Sequence, residues 1–121
     1  METEERRKLP RKYLMAFSSV YEASTGKLLG YLSDLNISGL MIIGKESLEL
    51  EQELNLHLDL PEMPNRTEVC LRVKARVARS HPDLDPRLFN IGFAFIDLTK
   101  EKEALVEAMI NTYEFRRDSA E

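Results

Sequence analysis

Cysteine, histidine and long apolar runs are all scarce in this chain of 121 residues, and each scarcity excludes something. A single cysteine, Cys70, rules out an internal disulfide framework. No apolar run approaches the roughly 18–20 residues that a bilayer-spanning helix needs, so no membrane insertion is expected. The first residues are charged where a secretion signal would have an apolar core, and a cytoplasmic location is expected. The two histidines, His57 and His81, lie far apart in sequence. His57 falls on the polar positions of an alternating stretch and reads as solvent-facing. His81, Asp83 and Asp85 lack the ligand spacing of a zinc or calcium site. Cys70 has no neighbouring base to activate its thiol. There is no phosphate loop of the GxxxxGK[ST] type and no GxGxxG turn. No catalytic residue, metal site or cofactor is therefore assigned, and the chain reads as a non-enzyme.

An excess of positive charge is missing too. Seventeen Lys and Arg stand against 21 Asp and Glu, a net charge of -4, which argues against a general nucleic-acid binder. The charge is unevenly placed, however. Arg6, Arg7, Lys8, Arg11 and Lys12 crowd one short segment. A local basic cluster on an acidic protein suits one anionic ligand held at one place.

What the sequence does contain is alternation. Apolar residues make up 43% and charged residues 31%, which suits one soluble domain. Residues 1–12 lack an apolar period and read as a flexible basic arm. Tyr13 to about Glu22 and Leu28 to Leu35 read as strands joined by a turn at Ser24-Thr25-Gly26. Asp34, Asn36, Ser38 and Gly39 mark the next turn, and Leu40 to Ile43 a short apolar run. Lys45 to Gln52 reads as a loop. Leu54, Leu56, Leu58 and Leu60 alternate with polar residues until Pro61 and Pro64. Val69, Leu71, Val73, Ala75 and Val77 alternate with Cys70, Arg72, Lys74 and Arg76. His81 to Pro86 reads as a loop. Phe89, Ile91, Phe93 and Phe95 follow.

The period then changes. Thr99 is placed to cap a helix with Glu101 and Glu103 in its first turn, and Leu105, Ala108, Met109 and Thr112 share one helical face. About six closely spaced strands and one helix predict an all-β, antiparallel, closed barrel with a C-terminal helix, since closure removes exposed edges. The barrel and helix are expected to occupy residues 13–117, with 118–121 as a tail.

Two constellations carry chemistry. In Arg7-Lys8-Leu9-Pro10-Arg11 two guanidinium groups flank a semi-rigid segment. Each can fork onto phosphate oxygens or stack on an aromatic base. A solvated charged arm would show the same pattern. In Asp34-Leu35-Asn36-Ile37-Ser38-Gly39 a carboxylate can accept paired N–H donors from a guanine edge. The amide of Asn36 can bond base or phosphate, and Gly39 permits close backbone approach. An ordinary strand-connecting turn uses the same residue types.

In this order, RxxxR followed by a turn of the D/NxSxxG type, the chain resembles the PilZ domain family. Glu5-Arg6-Arg7-Lys8-Leu9-Pro10-Arg11 looks like its entry segment. Gly39-Leu40-Met41-Ile42 and Asn90-Ile91-Gly92-Phe93-Ala94-Phe95-Ile96-Asp97 look like its later strands. The resemblance spans roughly residues 5 to 115. It implies a six-stranded antiparallel barrel with a C-terminal helix that binds cyclic di-GMP without catalysis. It implies further that Arg7 and Arg11 hold phosphate and guanine, that Asp34 reads a guanine edge, and that Gly39 closes the turn. Asn36 stands where the family pattern has Ser. Arg6, just before the motif, is associated with two stacked ligand molecules. The expected action is a change of arm conformation that signals to a downstream protein, whose identity the sequence does not give. The rival reading is a PilZ-like adaptor for protein contacts in type IV pilus or motility function, with weak or no nucleotide binding.

Overall fold

The computed structural model describes residues 18–119. Six strands come first: β1 (Ser19–Glu22), β2 (Leu28–Asn36), β3 (Gly39–Gly44), β4 (Glu53–Asp59), β5 (Cys70–Pro82) and β6 (Phe89–Ile96). One helix follows, α1 (Lys100–Ser119). The strands close into a barrel in the order β1-β2-β3-β6-β5-β4, and every pairing is antiparallel. The expected all-β barrel with a C-terminal helix is the fold observed.

Period-2 alternation builds the core. Leu54, Leu56 and Leu58 of β4 and Leu71, Val73, Ala75 and Val77 of β5 all point inward and are buried. Each strand thereby gives one face to the barrel interior and one to solvent. Both ends of β5 depart from the sequence reading. Val69 precedes β5 and is 77% exposed, its carbonyl accepting from Leu60 N. His81 and Pro82 belong to β5, not to a loop, and pair with Asn90 and Phe89. The alternation of β5 breaks after Val77, so its last residues no longer look like a strand. At its end β5 tolerates Pro82, which has no N–H to give.

Thr99 caps α1 as expected: its hydroxyl accepts from Lys102 N at 3.2 Å. The helix packs against β2 and β5, which sit opposite each other in the ring of six strands, so it lies across one mouth of the barrel. Leu105 and Met109 are buried as the helical period predicts. Val106 is fully buried with them, a position the predicted face left out. It lies three residues before Met109, on the same side of the helix. Thr112 is half-buried and turns its hydroxyl back to the Ala108 carbonyl at 2.8 Å.

The registers also sort the loops. The start of β1, the β2–β3 hairpin, the end of β4, the start of β5 and the end of β6 lie at one end of the barrel. The β1–β2 turn, the β3–β4 loop and the β5–β6 hairpin lie at the other.

Candidate functional site

A bulge in β2 decides where Asp34 points. Leu32 pairs with Ile42 and Asp34 with Met41, so Ser33 is an extra residue in the ladder. Its hydroxyl donates to the Met41 carbonyl at 3.2 Å. In a regular strand Asp34 would share the inward face of Leu32. The inserted residue flips the phase: Leu32 and Leu35, three positions apart, are both buried, and Asp34 and Asn36 both face out. Asp34 thus belongs to β2 and not to the turn. The turn is Ile37-Ser38, a two-residue connection.

Asn36 holds that connection together. Its Oδ1 accepts from Ser38 N at 2.9 Å, from Gly39 N at 3.1 Å and from Ser38 Oγ at 2.7 Å. This is an Asx turn, in which the side chain mimics a backbone carbonyl. The carbonyl oxygen is therefore committed to the hairpin, and only the amide N–H groups remain to face a ligand. Asp34 Oδ1 accepts from Leu35 N at 2.9 Å. Gly39 lies so close to β6 that a Cβ there would overlap the Phe93 carbonyl oxygen. Phe95 N donates to Ser38 O at 2.9 Å and ties the hairpin to β6.

A second bulge, in β5, does the same for a residue the sequence reading missed. Val77 pairs with Phe93 and Arg79 with Gly92, which leaves Ala78 as the extra residue. Arg79 is turned outward, and its aliphatic stem lies over Gly92. The pairings Asp34–Met41, Met41–Gly92 and Gly92–Arg79 form one continuous row across β2, β3, β6 and β5. Asp34 and Arg79 end this row, about 14 Å apart at three strand spacings. Between them is a surface cleft of about 370 Å³, whose lining includes Asn36, Ser38, Gly39, Met41, Gly92 and Ala94. Gly39, Gly92 and Ala94 keep the floor low beside the Met41 side chain, so a flat ligand can lie close to the backbone there.

Arg79 has no ion-pair partner among the described residues. Of the other β5 cations, Lys74 and Arg76 are ion-paired and Arg72 is hydrogen-bonded. Lys74 lies 3.6 Å from Glu53 and Arg76 lies 3.2 Å from Glu51. Arg72 Nε donates to His57 Nδ1 at 3.3 Å. The break in alternation at Ala78-Arg79 was the signal available in the sequence.

Asp34, Asn36 and Gly39 are thus brought into one cleft. Arg6, Arg7 and Arg11 lie outside the described residues. The described chain begins beside this site: Ser18 O accepts from Leu32 N at 2.9 Å, two residues before Asp34. Asp83 and Asp85 are occupied elsewhere. The Asn90 amide bonds Asp83 at 2.9 Å and holds its carboxyl below the usual range. Arg87 does the same for Asp85. Among the described residues no group of three or more His, Cys, Asp or Glu is placed to hold a metal ion.

The family model for the PilZ domain matches residues 5–112. The chain belongs to the PilZ domain family. Its barrel resembles the PilZ domain of YcgR from Escherichia coli, solved with cyclic di-GMP. The TM-score is 0.63 at 14% identity, over 85% of this chain and 86% of that one. It also resembles the Bacillus subtilis inhibitor of motility MotI/DgrA, with TM-score 0.60 and 16% identity over 81% of this chain. The PilZ chain spans 46% of that protein's length. At these identities the likeness is one of fold. No curated protein matches the chain. No helix among the described residues is long and apolar enough to cross a membrane.

Proposed function

We propose that this PilZ protein is a non-enzymatic cytoplasmic receptor for cyclic di-GMP. The observation that carries the reading is the cross-strand row that sets Asp34 and Arg79 at opposite sides of a glycine-floored cleft. The membership in the PilZ family and the cyclic di-GMP named with the YcgR domain support it. The Asp34 carboxylate accepts the paired N–H donors of one guanine edge. Arg7 and Arg11, entering from the arm, hold phosphates and stack on guanine, and Arg6 extends the same positive surface. Arg79 meets the ligand from the far side of the cleft. Asn36 and Gly39 act mainly by fixing the hairpin that carries Asp34. The arm is repelled by its own like charges when unliganded, and the bound phosphates neutralise them. It then folds over the cleft and offers a new surface to a downstream protein.

Calorimetric titration of the full chain with cyclic di-GMP, with GTP and cyclic GMP as controls, tests this. Saturable binding of cyclic di-GMP alone is expected, with slowed amide exchange in residues 6–12 at saturation. The stoichiometry separates one ligand from a stacked pair. Absence of binding at tens of micromolar, on the scale of about -6 kcal/mol, overturns it. The adaptor reading would then stand, and one observation favours it: the Asn36 carbonyl at the usual Ser position is committed to the turn. Within the receptor reading, Arg79→Ala is expected to weaken binding about tenfold, the worth of one charge-assisted contact. An unchanged affinity would remove Arg79 from the site.

A further inference from the structure

The barrel end opposite the β2–β3 hairpin carries a rigid apolar knob and an apolar groove, and the receptor site uses neither. The knob is the β5–β6 hairpin, with Leu84 at its tip. Leu84 is fully exposed, the most exposed of the large apolar side chains described. The loop that presents it is held on every side. Asp83 N donates to Leu88 O and Leu88 N to Asp85 O, each at 2.9 Å. Asp83 anchors the Asn90 amide at 2.9 Å, and Arg87 clamps Asp85 through two bonds of 3.0 and 2.8 Å. Pro82 and Pro86 restrict the backbone further. A loop ordered in advance loses little entropy on docking.

The groove, of about 610 Å³, runs beside this hairpin and is lined by Leu28, Leu29, Tyr31, Ile43, Leu48 and Leu88. Leu28 is 42% and Tyr31 47% exposed, a high exposure for large apolar side chains grouped on one surface. Lys27 and Lys45 stand at its rim. Lys27 is paired with Glu46 at 2.7 Å, whereas Lys45 has no ion-pair partner among the described residues. The two features are complementary in both respects that decide docking. The knob is apolar and carries the Asp83 carboxylate beside it, the Asp85 charge being met by Arg87, and the groove is apolar with Lys45 at its rim, the Lys27 charge being met by Glu46.

We infer that the groove receives the Leu84 loop of a second copy of this chain, in a reciprocal dimer where each protomer gives a knob and takes one. Knob and groove share one end of the barrel, so a two-fold axis there can satisfy both at once and close the assembly. Asp83 of each loop then faces the partner's Lys45 across the rim, where charge sets register more than affinity. The start of β1 and the β2–β3 hairpin lie at the far end, so the dimer leaves the ligand cleft open.

Sedimentation of the full chain from micromolar to millimolar concentration tests the inference. The wild-type chain is expected to pass from monomer to dimer. Leu84→Asp, which removes the knob, and Tyr31→Glu, which spoils the groove, are each expected to weaken self-association at least about tenfold, the transfer worth of a large apolar side chain. Both residues are exposed, so unchanged thermal melts are expected and would show that the variants fold. An equimolar mixture of the two variants retains one intact knob-and-groove contact and is expected to associate more strongly than either alone. A wild-type chain that stays monomeric throughout overturns the inference, even if another protein is found in the groove. So does a dimer that survives both substitutions, or a mixture that recovers nothing.

Discussion

Asp34→Ala and Arg11→Ala are each expected to weaken cyclic di-GMP binding about 100-fold, with little change in melting temperature. The magnitude follows from the contacts proposed. A carboxylate that accepts two guanine N–H groups makes two charge-assisted hydrogen bonds, together about 3 kcal/mol net of water. That is close to two decades in affinity. The Asp34 side chain is exposed, so its removal opens no cavity in the barrel core. Asp34→Asn sharpens the test. It keeps shape and volume but presents N–H groups to the guanine donors, so it is expected to lose nearly as much as alanine. If Asp34→Asn bound as well as wild type, the carboxylate would not be reading a donor pair, and the proposed role of Asp34 would fall. Arg11→Ala removes the phosphate contact from the arm. A chain that acts only as a protein adaptor would have no nucleotide affinity to lose in either variant.

The parts of this molecule legible in the sequence are those governed by local period and local capping. Leu54, Leu56 and Leu58 announce β4, Thr99 announces the helix, and Asn36 with Gly39 announces the hairpin. What stayed hidden depends on the partner strand. The extra residues Ser33 and Ala78 are unremarkable as residue types. They are bulges only because β3 and β6 pair on either side of them. A period-2 reading carried straight through Ser33 would turn Asp34 into the barrel. The same reading stopped at Val77 and so missed both Arg79 and the strand character of His81 and Pro82. Val106 was passed over for a related reason. The helix spans a barrel mouth between two opposite strands, and so buries a wider arc than a narrow stripe. Both bulges re-aim a charged side chain onto the outer face of one cleft, a placement that bulges recurrently serve near binding sites. The residues missed were thus those whose direction is set by non-local pairing.

Gly39→Ala is expected to destabilise the domain by about 3–4 kcal/mol, in the range reserved for steric disruption. The melting temperature should fall by about 15–20 °C for a domain of this size. The cause is proximity, since Gly39 does not occupy the left-handed region. A single added Cβ would overlap the Phe93 carbonyl oxygen, which is backbone in the neighbouring strand and cannot rotate away. β3 must separate from β6 at the Gly39–Ala94 pair, and the Phe95 N to Ser38 O bond opens with it. Gly26 supplies the control. It has φ 76 and nothing near its would-be Cβ, so alanine there costs only the left-handed penalty of about 1 kcal/mol. A thermal melt that found the two variants equal would show that β3 and β6 part freely, and would sink the proximity argument. The expected difference also bears on the site. The contact that excludes a Cβ at residue 39 fixes the hairpin against β6, and with it the distance from Asp34 to the Gly92–Arg79 end of the row. A Gly39→Ala chain rescued by low temperature should therefore fold and still bind cyclic di-GMP less tightly, because its carboxylate no longer faces Arg79 across a cleft of the same width.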